Sequence, residues 1–315
     1  MKIISYFKLP EYIEELLNSM GDYKCLYGYD INVEDIKDAE IIIGNLPPMY
    51  VKECKKLKYL QLIFAGSDGY RDVINDSYSI CNASGTFGAG IAEHLIMNTL
   101  MLFRNMKFYM EKQQKHIYER INKNKMIYGS RFLICGCGDI GTQFAKRIQS
   151  LGGYTIGIKR RKSSTLAYFD EVYTEDEIEK HLKETDVVAL CLPKNDSTNH
   201  FLNAKRISML RKDAIVLNVG RGNAIDTRAL INSLNEEKIA GAALDVFDEE
   251  PIPLNDDLWD CKNLIITPHV SGTFANAYTY ELFCKILEDN LIRYREGKPL
   301  KNVVDKESGY RKEVY

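Results

Sequence analysis

The chain has almost no net charge, no long apolar run, no closely spaced cysteine pair of the redox or zinc type and no internal repeat. Each absence removes a class of function. Lys and Arg total 42 against 44 Asp and Glu, a net of -2, so no overall field attracts nucleic acid or an acidic membrane surface, and neither is an expected partner. No stretch approaches the roughly 18 apolar residues that cross a bilayer; the best, 95–103, is far too short. Residues 1–10 read as a short strand leading into a polar helix, unlike a basic, apolar, cleavable leader. A cytoplasmic protein is expected. The eight cysteines are dispersed, with no Cys-x-x-Cys and no histidine at metal spacing. They read as small buried apolar residues in a reducing compartment, and no metal site is expected.

What is present is length and regular alternation. The 315 residues correspond to about two domains at roughly 150 residues each. Strand-like and helix-like segments alternate, which predicts an α/β fold of doubly wound parallel sheets. In the first third, 2–6, 40–44 and 59–64 read as buried strands, with helical connections at 12–20 and 49–56. A long, largely buried helix is expected at 89–103, followed by a charged, solvated stretch at 105–125. The domain change is therefore placed near residue 100. From there six strands are expected, at 131–135, 154–158, 186–192, 214–219, 239–246 and 263–267, which suffice for a nucleotide-binding domain at 101–285. The first domain, 1–100, would be completed by 286–315 if the tail after a long final helix at 275–296 returns to it.

The strand at 131–135 runs into Gly136-Cys137-Gly138-Asp139-Ile140-Gly141 and then an amphipathic helix. Glycines spaced in this way, after a strand and opening a helix, are the context a dinucleotide site requires. Gly136 takes the tight turn, Gly138 the close approach of a pyrophosphate and Gly141 the contact between helix and sheet, with helix N-terminal amides facing the phosphates. The next strand ends at Lys159, followed by Arg160 and Arg161. An NAD site usually carries an acid here, whereas a guanidinium can grip a 2′-phosphate with two charge-assisted bonds. NADP is the expected cofactor, with Arg160 the first choice for the contact and NAD the alternative.

Three further motifs lie at strand ends: Asn218-Val219-Gly220-Arg221-Gly222, Asp245-Val246-Phe247-Asp248-Glu249-Glu250-Pro251 and Thr267-Pro268-His269-Val270-Ser271-Gly272. Ligands bind at the carboxyl ends of parallel strands, so a cation, a carboxylate and an imidazole would converge where hydride is exchanged between an alcohol and a carbonyl. The other four histidines, His94, His116, His181 and His200, lack such company and read as structural or solvated.

These motifs, their order and spacing resemble the D-isomer-specific 2-hydroxyacid dehydrogenase family, which includes glycerate, hydroxypyruvate, glyoxylate and phosphoglycerate dehydrogenases. The resemblance covers about residues 40–295. It implies two Rossmann-like domains with the active site in a cleft between them, the first domain and the tail binding substrate. It matches Arg221 to the substrate-binding arginine, Glu250 to the acidic partner and His269 to the acid/base. It also implies backbone amides of Ala65, Gly66 and Ser67 for the substrate carboxylate, Asp245 near the nicotinamide carboxamide, and cofactor contacts along Leu192-Pro193 and Val219-Gly220. A homodimer built through the nucleotide-binding domains is a further implication. Formate dehydrogenases of this superfamily carry Gln where Glu250 stands, which disfavours formate. The expected activity is reduction of a small 2-oxo acid such as glyoxylate or hydroxypyruvate. The alternative is a dinucleotide-sensing interaction protein, since transcriptional corepressors resemble this family. Two departures stand out: 121–130 is more polar than family sequences, and Lys159 replaces the usual acid.

Overall fold

The computed structural model describes residues 1–28, 30–160 and 166–306. The chain divides into two compact units, one formed by residues 1–86 and 274–315, the other by 87–273. These limits differ from the expected changes near 100 and 285. The apolar side of the helix Gly88–Phe103 packs on the helix Asp139–Ser150 of the second unit, so residues 87–100 belong there. Residues 274–285 join the first unit, where Phe274 and Phe283 pack around Phe7.

The first unit holds a five-stranded parallel sheet. Its strands are β1 (Lys2–Ser5), β2 (Asp22–Cys25), β3 (Ile41–Ile43), β4 (Tyr59–Gln61) and β5 (Ser79–Cys81), in the order β2-β1-β3-β4-β5. The central strands are continuous apolar runs because helices cover both faces. The edge strands β2 and β5, absent from the sequence expectation, are short and partly polar. The expected helix at 49–56 is confined to Pro48–Val51; the prolines start it, and the charged residues beyond supply no apolar stripe to extend it. The final helix, Ala277–Arg295, is tied into this unit by Asn290, whose Nδ2 donates to Gln61 Oε1 and whose Oδ1 accepts from Lys301 N. The tail then covers the β5 edge: Val303 bridges Cys81, and Val304 N donates to Ile80 O at 2.8 Å. A covered edge cannot template pairing with another chain.

The second unit holds a seven-stranded parallel sheet. Its strands are β6 (Arg131–Cys135), β7 (Tyr154–Lys159), β8 (Glu171–Thr174), β9 (Val187–Leu190), β10 (Ile215–Asn218), β11 (Gly241–Leu244) and β12 (Leu264–Ile266), in the order β12-β11-β10-β9-β6-β7-β8. Six strands were expected; the seventh, β8, is an edge strand with every residue half-buried, so it carries no apolar run to announce it. The strand order reverses between β6 and β9, the place where doubly wound sheets bind ligands.

The polar stretch at 121–130 has a specific task. Lys125 Nζ reaches Asp186 at 2.7 Å and Asp213 at 2.8 Å, and Lys125 N donates to Phe103 O. Asp186 also accepts from Arg131 N. The connection into β6 is thus held by an ion cluster. All eight cysteines are free thiols, five of them buried.

Candidate functional site

Register decides which side chains meet. Ile158, Cys135, Leu190, Asn218, Leu244 and Ile266 lie level across neighbouring strands. Every motif residue follows its level position by a few residues, so the loops after β7, β6, β9, β10, β11 and β12 share one edge of the sheet.

The glycine loop follows β6. Gly136 has φ +99, and a Cβ there would lie 2.5 Å from Cys191 O. A Cβ on Gly141 would lie 2.0 Å from Gly136 O, so only glycine lets the helix Asp139–Ser150 approach the turn so closely. A Cβ on Gly138 would meet nothing within 4 Å. That open space lies at the start of a 12-residue helix that begins without a side-chain cap, which fits an anion held by first-turn amides. The carboxylate of Asp139 accepts from Gly88 N at 3.0 Å, so this side chain braces the neighbouring helix, while Ile140 continues the first turn. Leu192 and Pro193 follow β9, and a Cβ on Gly220 would lie 2.4 Å from Leu192 O. Val219 is buried beside them. Lys159 ends β7 near the loop. Burial pushes the Cys137 thiol up to about 12, with Lys159 working in the opposite direction. Arg160 follows it; Arg161 lies outside the described residues.

The second half of the site lies after β10, β11 and β12. His269 Nδ1 is 2.7 Å from Glu250 Oε2, and Glu250 Oε1 accepts from Phe247 N at 2.9 Å. A clamped carboxylate fixes the ring orientation and assigns the proton of the neutral ring to Nδ1, leaving Nε2 to exchange one. The adjacent Glu249 has no part in this pair. His269 has φ +53, a conformation that costs a non-glycine residue about 1 kcal/mol and persists only where the surroundings enforce it. They do so through Asp245, which is 1% exposed. Its Oδ1 accepts from Thr267 Oγ1 at 2.6 Å and Val270 N at 3.0 Å, and its Oδ2 from Ser271 N at 3.0 Å. Its main-chain O accepts from His269 N.

Arg221 sits on a turn braced by buried Asn218, whose Oδ1 accepts from Gly220 N and whose Nδ2 donates to Arg221 O. Arg221 Nη1 donates to Gly220 O at 2.7 Å. Asn218, Thr267 and Phe247 were not singled out from sequence. An asparagine two residues before a glycine at a strand end is a legible turn signal; the other two act through contacts only the fold creates.

In the first unit, Ala65 is exposed, Gly66 half-buried and Ser67 buried. Asn82 Nδ2 donates to Ala65 O at 2.8 Å, and Tyr70 N to Ser67 O, so this loop is fixed in place. Among the described residues no helix is long and apolar enough to cross a membrane.

Comparison with known proteins identifies relatives of this chain. The profile of the D-isomer specific 2-hydroxyacid dehydrogenase family, NAD binding domain, matches residues 96–271. An uncharacterized protein of Corynebacterium melassecola is 31% identical, the match covering 98% of this chain and 100% of that one. Glyoxylate reductase from Pyrococcus furiosus is 36% identical over 58% of this chain and 53% of its own length, so the match spans about half of that enzyme. The crystal structure of a D-isomer specific 2-hydroxyacid dehydrogenase family protein from Aeromonas salmonicida superposes with a TM-score of 0.83 at 30% identity, covering 97% of this chain and 99% of that one. The chain belongs to the D-isomer-specific 2-hydroxyacid dehydrogenase family.

Proposed function

We propose that the protein interconverts small 2-oxo acids and D-2-hydroxy acids with a nicotinamide dinucleotide, NADP(H) in preference to NAD(H). Glyoxylate and hydroxypyruvate are the first substrates to test. The observation that carries this reading is the His269–Glu250 pair, 2.7 Å apart with the carboxylate clamped by Phe247 N. The glycine loop, Leu192-Pro193 and Val219-Gly220 would hold the cofactor, which when bound supplies or accepts hydride at the substrate carbon. In reduction, His269 as imidazolium donates the Nε2 proton to the substrate oxygen while Glu250 stabilises the charged ring; in oxidation the neutral ring takes that proton back. Arg221 presents a planar fork suited to the 2-oxo carboxylate and orients the carbonyl. The amides of Ala65, Gly66 and Ser67 are proposed as a second anchor for that carboxylate. The three protein donors on Asp245 leave room for about one more on its roughly four acceptor sites, which fits one carboxamide N–H.

The NADP(H) preference rests on Lys159 and Arg160, a cationic pair where an NAD-selecting acid would repel a 2′-phosphate. A homodimer is also proposed, because Met97, Leu100, Met106 and Met110 expose an apolar surface on consecutive helices of the second unit. Light scattering showing only monomer at micromolar concentration would contradict it.

The test is a kinetic panel of glyoxylate, hydroxypyruvate, phenylpyruvate and 3-phosphohydroxypyruvate, each with NADH and NADPH, followed by cofactor absorbance. Turnover with at least one acid, lost in His269→Ala with cofactor binding retained, is expected. No turnover with any acid alongside tight dinucleotide binding would overturn the enzymatic reading, and equal or better efficiency with NADH would overturn the cofactor preference.

A further inference from the structure

His94 stands on the helix Gly88–Phe103, 175 positions before His269, and no sequence motif links the two. Its Nε2 lies 3.2 Å from Thr267 Oγ1 and 3.9 Å from Asp245 Oδ1, with the ring 12% exposed. We propose that His94 is a positioning residue for His269, acting through a chain of directed hydrogen bonds from His94 to Thr267 to Asp245. The proposal rests on the acid/base role given to His269 above.

Proton counting sets the direction of the chain. Asp245 Oδ1 and Thr267 Oγ1 are 2.6 Å apart, and the carboxylate can only accept, so the one hydroxyl proton of Thr267 lies between them. The hydroxyl then faces His94 with a lone pair. His94 Nε2 must therefore carry a proton and donate it. This assigns the tautomer of His94 from the network itself. Burial holds the ring below the usual histidine range, against the attraction of Asp245, which favours a neutral donor near pH 7.

The chain matters because Asp245 organises the turn that carries His269. The same Oδ1 that receives the Thr267 proton also accepts from Val270 N, and Oδ2 accepts from Ser271 N, so residues on both sides of His269 hang on one carboxylate. A threonine hydroxyl can rotate to other acceptors. Occupying its lone pair with an N–H from His94 selects the rotor position that points at Asp245. Without that donor the hydroxyl gains alternatives, and the left-handed turn at His269 loses one of the bonds that enforce it. The helix bearing His94 is itself fixed at its start, where Gly88 N donates to Asp139 at the glycine loop.

The experiment compares His94→Phe, which keeps an apolar ring without a donor, with His94→Gln, whose terminal amide N–H can occupy the position of Nε2. For H94F, kcat for 2-oxo acid reduction is expected to fall about tenfold, with KM and the NADPH dissociation constant within about twofold of wild type; H94Q is expected to recover most of the loss. A merely structural role would lower Tm and both parameters alike and would not be rescued by Gln. A second readout does not need turnover. In the side-chain 1H–15N spectrum, with His269 assigned by His269→Ala, its ring resonances should move in H94F and return in H94Q. Unmoved resonances in H94F, or equal displacement in both variants, would overturn the proposal. If the wild type reduces none of the acids tested but the resonances behave as expected, the enzymatic reading fails and the positioning role stands.

Discussion

Replacing Gly222 by Ala places one methyl group where two functional turns touch. A Cβ at that position would lie 2.0 Å from Phe247 C, 2.3 Å from Asp248 N and 2.3 Å from Phe247 O. All three are backbone atoms, so no side chain can rotate aside. Contacts of this kind essentially never fall below 3.0 Å, and the two segments must therefore separate by about 1 Å, at an overpacking cost of about 1–3 kcal/mol. The separation is aimed at the site. Arg221 precedes Gly222, and Phe247 N is the donor that clamps Glu250. Moving one turn away from the other shifts the turn that carries Arg221 relative to the turn that carries Glu250, and a misplacement of about 1 Å can cost on the order of 100-fold in rate. The glycine loop lies after β6, two strands from β10, so the phosphate end of the proposed cofactor site should be spared, and only the contact at Val219-Gly220 shifts. The assay measures kcat for 2-oxo acid reduction, NADPH affinity by calorimetry and Tm for G222A. We expect kcat reduced about 100-fold, Tm lowered by about 2–10 °C and NADPH affinity within about threefold of wild type. A normal kcat would refute the reasoning, whether or not Tm had fallen, because it would show that the two turns need not be held in contact.

Two further outcomes follow from other contacts. Gly141→Ala would bring a methyl group to 2.0 Å from Gly136 O, so it should destabilise the protein by about 2 kcal/mol and weaken NADPH binding at least tenfold on the order of a displaced helix terminus; unchanged calorimetric affinity would argue against a phosphate site there. Lys125→Met should destabilise by about 2 kcal/mol by leaving Asp186 and Asp213 less compensated, seen as a lower urea midpoint at pH 7. Burial acts to raise the Asp213 carboxyl, but hydrogen bonds from Lys125 and Arg211 outweigh it and hold the group below its ordinary value of 3.8. The stability from that depressed value is present above about 3.8 and lost as pH falls through the lower folded value. The gap between wild type and K125M should therefore narrow at pH 3, and an equal gap at both pH values would exclude this ion cluster as its source.

Most of the strands that were legible in the sequence are buried on both faces; the exception is the edge strand β12, marked by its Leu-Ile-Ile run. β3, β6, β9, β10 and β11 are short apolar runs between breakers, and their composition alone marks them. The strands that escaped, β2, β5 and β8, are all sheet edges. An edge strand is held by backbone bonds to one neighbour and needs little apolar content, so β2 reads Asp-Tyr-Lys-Cys and β8 Glu-Val-Tyr-Thr without betraying their state. The unit limits escaped for a related reason. The helix Gly88–Phe103 is apolar whichever domain it serves, and only its packing on the helix Asp139–Ser150 shows where it belongs.

The candidate site divides along the same line. Residue types at strand ends nominated a cation, a carboxylate and an imidazole, the family resemblance picked Glu250 among the acids of its motif, and the glycine spacing nominated the loop because close approach tolerates no side chain. Chemistry confined to one short segment can be read from that segment. Which nitrogen of His269 faces Glu250, what holds Asp245 and what His94 contacts depend on bonds between residues as far as 173 positions apart. Sequence carries no distance between such positions; parallel strand register and helix packing create it, and only the tertiary structure could decide those roles.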